Sequence, residues 1–89
     1  MTDIEMIRMI KAGNQQGLSL LYESCRHEFM NWIMKFTGCN EEDASEYYHA
    51  SVLITYDNIH NGKLEDLRSS LKTYLFGIGK NLKIGRAHV

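Results

Sequence analysis

Apolar residues recur along the chain at steps of three and four, the spacing that puts them on one face of an α-helix. Ile4, Ile7 and Ile10 mark a short first helix over Asp3 to Lys11, stopped by Gly13-Asn14. Leu18, Leu21, Tyr22, Cys25, Phe29, Trp32, Ile33 and Phe36 form an amphipathic stripe that predicts one continuous second helix ending at Gly38. Aromatic residues on one helical face are far more often packing than a cofactor box, so this stripe is read as core, with Cys25 a small buried hydrophobe.

Asn40 predicts the start of a third helix. Its amide can cap free backbone N–H groups, and Glu41, Glu42 and Asp43 sit at the positive end of the helix dipole. His60-Asn61-Gly62 marks the end. Ala44, Tyr48, Val52, Tyr56 and Ile59 make one face, yet Tyr47, Ala50, Leu53 and Ile54 lie off it. A helix apolar on more than one side is either central to the fold or a docking surface. After a polar stretch over Asn61 to Ser70, with Ser69 or Ser70 as cap, Leu71, Tyr74, Leu75, Ile78 and Leu82 define a fourth helix. Its other face reads Arg68, Lys72, Phe76, Lys80, Lys83, a basic stripe with one exposed aromatic. Gly77 and Gly79 lie inside this helix, where each costs about 1 kcal/mol relative to alanine. They permit close approach of another backbone or mark a weak final turn. The expectation is an all-α fold, a small bundle of three to four helices.

Composition narrows the class. Eighty-nine residues with 44% hydrophobic and 24% charged side chains and no proline suit one small folded domain. The net charge of -1 hides an uneven distribution. Residues 1–40 balance. Residues 41–67 carry Glu41, Glu42, Asp43, Glu46, Asp57, Glu65 and Asp66 against Lys63 alone, whereas residues 68–89 carry Arg68, Lys72, Lys80, Lys83 and Arg86 and no acid. Two different surfaces are expected from an acidic middle and a basic end. Cations one helical turn apart can each meet a phosphate, and an aromatic ring among them can support an unstacked base; the same stripe is also what a solvated helix end looks like.

No apolar run approaches the roughly 20 residues of a membrane span, and the N-terminus lacks a secretory signal, so no membrane association and a cytoplasmic location are expected. Cys25 and Cys39 form no disulfide framework. Cys25, His27, Cys39, His49 and His60 fall at no tight metal-ligand spacing, and the chain has no Gly-rich phosphate loop, HExxH or Cys-x-x-Cys. Neither a cofactor nor enzymatic activity is expected.

The run Asp43-Ala44-Ser45-Glu46-Tyr47-Tyr48-His49-Ala50-Ser51-Val52-Leu53-Ile54-Thr55-Tyr56, the polar stretch, and then Ser70-Leu71-Lys72-Thr73-Tyr74-Leu75-Phe76-Gly77-Ile78-Gly79-Lys80-Asn81 together resemble region 2 of extracytoplasmic-function sigma factors of the sigma-70 family. These are small promoter-recognition subunits of bacterial RNA polymerase. The resemblance extends back to Leu21-Tyr22-Glu23. It implies that the third helix docks on the clamp coiled coil of the largest subunit of core RNA polymerase, with Asp43, Glu46, His49, Ala50 and Leu53 at the matching positions. The family usually has Gln followed by Asp or Glu where this chain has His49 and Ala50. It further implies that the polar stretch and fourth helix open the promoter -10 element and hold an unstacked base of the non-template DNA strand, which assigns Asn61, Gly62, Lys63, Arg68, Ser69, Ser70, Lys72, Phe76, Lys80 and Asn81 to DNA binding. Tyr74 stands where relatives often carry Trp, but its place on the apolar stripe favours a core role. An anti-sigma factor is a further implied partner.

Family members continue into a second helical domain, region 4, that these residues do not supply. Ile84-Gly85-Arg86-Ala87-His88-Val89 reads like a translated sequencing adaptor, so the expected division is a region 2 domain over 1–83 and a non-native tail over 84–89. The competing expectation is a stand-alone helical interaction module without DNA function.

Overall fold

A computed structural model describes residues 2–63 and 70–87, with side chains through Leu82. The described residues form five helices: α1 (Asp3–Lys11), α2 (Gln15–Ser24), α3 (Arg26–Thr37), α4 (Glu41–His60) and α5 (Leu71–Ala87). The fold is all-α, as the periodicity predicts, but it has five helices rather than three to four. The expected second helix is two.

Local chemistry explains most of the boundaries. The Thr2 hydroxyl accepts from the Glu5 N–H and starts α1. Gly13, at a φ of 79°, ends it, with the Gly13 N–H donating to Ile10 and the Asn14 N–H to Met9. Asn14 then caps α2 through the Gln16 N–H. Asn40 caps α4 as expected, its side-chain oxygen taking the Asp43 N–H at 2.8 Å. At the far end of α4, Gly62 has φ 76° and the Lys63 N–H reaches back to the Asn58 carbonyl. Ser70, the expected alternative to Ser69, caps α5 through the Thr73 N–H; Ser69 lies outside the described residues. The first N–H of α5, that of Leu71, is taken by the Asp3 carboxylate at 3.0 Å. The first turn of α5 contains no acid of its own, so Asp3 supplies the negative charge that a helix start favours.

The break between α2 and α3 falls at Cys25, whose φ of -142° leaves the helical region. An unbroken helix would have paired the Leu21 and Tyr22 carbonyls with N–H groups four residues on. Here the Ser24 hydroxyl donates to Leu21, and the Tyr48 phenol donates to Tyr22. The apolar stripe runs on across the break, and Cys25 is buried as expected.

α4 is the centre of the bundle and packs against all four other helices. Its least amphipathic feature, apolar residues on two sides, follows from that position. Ala44, Tyr47, Tyr48, Ser51, Val52, Thr55 and Ile59 are all buried. The buried Ser51 and Thr55 hydroxyls are satisfied within the helix, Ser51 donating to Tyr47 and Thr55 to Ser51. Around Tyr48 lie Tyr22, edge-on at 5.2 Å between ring centroids, and Phe29 at 5.0 Å.

Burial, with Cys25 and Tyr22 close by, holds the Tyr48 phenol well above the usual tyrosine range. The phenol therefore remains a hydrogen-bond donor in the folded protein at pH values where an unfolded tyrosine, with a pKa of about 10, has ionised. The associated stability is complete below about pH 10 and is lost as pH rises from there toward the higher folded value. Tyr48→Phe is expected to cost about 1–3 kcal/mol at neutral pH, because the Tyr22 carbonyl loses its donor. Urea denaturation across pH 7–11 checks both parts, since the variant should also lose part of the alkaline decline.

Candidate functional site

The two sets of residues singled out from sequence lie on different parts of the bundle. On α4, Asp43, Glu46, His49 and Leu53 are exposed and Ala50 is half-buried. They form one strip about 15 Å long, from the rise of about 1.5 Å per residue. Leu53 keeps 43% of its surface in water. Beside the strip, Leu18, Ser19, Tyr22 and Glu23 of α2 and His49, Val52 and Leu53 of α4 line a largely apolar groove of about 240 Å³. The His49 ring stands edge-on to Tyr22 at 6.2 Å. A larger and more polar groove, about 440 Å³, runs along Glu23, Arg26, His27, Met30, Asn31, Met34 and Glu41. Both cysteines are free thiols.

The second set begins at the end of α4. Asn61 caps that helix and is exposed, Gly62 makes the turn, and Lys63 is exposed. Arg68 and Ser69 lie outside the described residues. Ser70, Lys72, Lys80 and Asn81 are exposed on α5. Phe76 departs from expectation: the solitary exposed aromatic of the basic stripe is half-buried and packed against the core. Its ring stacks on Trp32 at 4.9 Å and 27°, and stands edge-on to Phe29 at 5.3 Å. Tyr74 is also partly buried, its phenol oxygen accepting from the Asn58 amide at 2.8 Å, which agrees with the core role.

Sequence reasoning placed the basic stripe against solvent, but α3 lies alongside it. Glu28 pairs with Lys72, Trp32 stacks on Phe76, and Phe36 lies under Lys80, whose Nζ is 5.8 Å from the ring centroid. Partners occur every fourth residue on both helices, so α3 and α5 run in the same direction along this seam. Trp32 also stacks on Phe36, at 5.4 Å and 10°. The three rings Phe76, Trp32 and Phe36 thus form a continuous stacked run, with a lysine over the first and last. Two signals in the sequence foreshadow this seam: Glu28, Trp32 and Phe36 are spaced by four, and so are Lys72, Phe76 and Lys80.

The two glycines of α5 play different parts. A Cβ at Gly79 would lie 2.5 Å from Cε2 and Cζ of Phe29 and 3.2 Å from the Ser51 hydroxyl, so this glycine admits a ring rather than another backbone. A Cβ at Gly77 would meet open space.

No described helix is long and apolar enough to cross a membrane. Comparison with protein-family models, with curated proteins and with solved structures returns no match.

Proposed function

We propose that this chain is the region 2 domain of an extracytoplasmic-function sigma factor, binding core RNA polymerase through α4 and the promoter -10 element through the 61–70 connection and α5. The observation that carries the reading is the division of α4. Four neighbouring helices cover most of its apolar residues, and Asp43, Glu46, His49 and Leu53, with half-buried Ala50 among them, are left in water as one strip alongside the exposed ends of the helix, Glu41, Glu42, Asp57 and His60. An acidic strip with an apolar side chain at one end suits a basic helical partner. Lys72, Lys80 and Asn81, exposed on a different helix, leave a second surface for the DNA strand. Activity on this reading is binding rather than chemistry, with phosphate contacts holding the strand and polar groups of the 61–70 connection reading one flipped base.

Retention of the tagged chain on bacterial core RNA polymerase tests the proposal. The wild type is expected to be retained, and Leu53→Asp to lower affinity by about tenfold or more, equivalent to about 1.4 kcal/mol. Leu53 is exposed, so the variant should keep its helical circular dichroism. A wild-type chain that is not retained even at low salt overturns the proposal in favour of a stand-alone interaction module.

A further inference from the structure

Two exposed apolar side chains of this bundle lie among charges of opposite sign. Phe36, 51% exposed, ends the stacked run between α3 and α5, with exposed Lys35 next to it in the chain and Lys80 over its ring. Leu53, 43% exposed, stands at the groove of about 240 Å³ between α2 and α4, beside exposed Glu23 and the acidic strip of α4. We propose that these two surfaces bind each other between copies of this chain, the Phe36 edge of one copy seated in the α2–α4 groove of the next, so that the protein associates head to tail.

Shape and charge both favour a second copy as the occupant. With Trp32 stacked on one side and Lys80 over the ring, what Phe36 offers is its edge. Leu18, Tyr22, Val52 and Leu53 line the groove with the apolar and aromatic surface that such an edge packs against. Trp32 already holds the ring in place, so little freedom is lost when it serves as an anchor. At the far end of the seam Glu28 pairs with Lys72, whereas the Phe36 end presents Lys35 and Lys80 and the α5 sequence contains no acid. Around the groove, Glu23 and the strip residues Asp43 and Glu46 are acidic and exposed. Opposite charges steer basic seam to acidic groove, and like charges disfavour seam on seam or groove on groove. The net charge of -1 adds little general repulsion between copies. The two surfaces share no residue and both face water, so neither fills the other within one chain. Such a contact is heterologous, closing only if its rotation permits. It stands independently of the function proposed above.

Sedimentation equilibrium of the full chain from about 10 µM to about 1 mM tests the contact, a range suited to a small interface with few anchors. Wild type is expected to form species larger than the monomer, and added salt to weaken them by screening the exposed charges. Emission of Trp32, the single tryptophan and a direct neighbour of Phe36, should change over the same concentrations. Phe36→Asp and Leu53→Asp should each weaken association by about tenfold or more. Mixed in equal amounts, the two variants should form a dimer holding one of each, because Phe36→Asp keeps an intact groove and Leu53→Asp an intact Phe36. Its ends carry the defective surfaces, so it should grow no further. That rescue also shows that both variants fold. A wild type still monomeric at about 1 mM, variants that associate as wild type does, or a mixture that stays monomeric overturns the proposal. Association that strengthens with salt overturns it as well, since apolar contact alone would then hold the copies. Retention on core polymerase tests the separate reading of α4 and is decided by none of these outcomes.

Discussion

Phe29→Ala is expected to cost about 3–5 kcal/mol, the range found when a buried aromatic side chain is removed from a core. Phe29 is fully buried, and its ring meets those of Trp32, Tyr48 and Phe76, from three different helices including its own. Removing it opens a cavity where α3, α4 and α5 meet. Domains of this size are stable by only about 5–15 kcal/mol in total, so the variant should stand close to unfolding at ordinary temperature. Urea denaturation followed by circular dichroism measures the change; a loss under about 1 kcal/mol would mean that the three helices close over the gap.

Gly79→Ala and Gly77→Ala form the second test, because one substitution two residues apart on one helix should act with opposite sign. Alanine favours a helix over glycine by about 1 kcal/mol. At Gly77 nothing opposes that gain, and stability should rise by up to about 1 kcal/mol. At Gly79 the new methyl would overlap the Phe29 ring, and overpacking of this kind costs about 1–3 kcal/mol. The net effect should be a loss of up to about 2 kcal/mol. Melting temperatures should separate accordingly, by several degrees per kcal/mol in a domain of this length. The pairing with Phe29 gives an internal check. In a Phe29→Leu background the far ring atoms are gone, so Gly79→Ala should become neutral or stabilising, a coupling that independent sites would not show.

How far the bundle could be read from the chain depended on whether a feature was local. Asn40, Gly13 and Gly62 act on backbone groups within a few residues, and the boundaries they set agree with the structure. The break at Cys25 left no such mark. It contains neither glycine nor proline, the apolar stripe continues through it, and one of the groups that satisfies the freed carbonyls is the Tyr48 phenol, 26 residues away from Tyr22. Phe76 was misplaced for a related reason. Its position opposite Leu71, Leu75 and Leu82 on the helical wheel points to solvent only while α5 is considered alone. With α3 beside it, the wheel has two occupied faces, and the exposed aromatic of the seam is Phe36 instead. On α4 the periodicity foretold burial of Ala44, Tyr48, Val52 and Ile59 but not of Tyr47, whose place in the core depends on helices that the wheel of one helix does not show.

The bond between Asp3 and the Leu71 N–H joins residues 68 positions apart. During synthesis, Asp3 leaves the ribosome long before its partner exists. The earlier helices can assemble around α4 while that carboxylate stays solvated, and the contact can close only when α5 emerges. Helical bundles normally owe their rapid folding to short-range contacts, and this one ties α1 to a helix synthesised much later. An affinity tag fused directly before Thr2 would crowd that joint, whereas the same tag set off by a flexible spacer would leave it free to form.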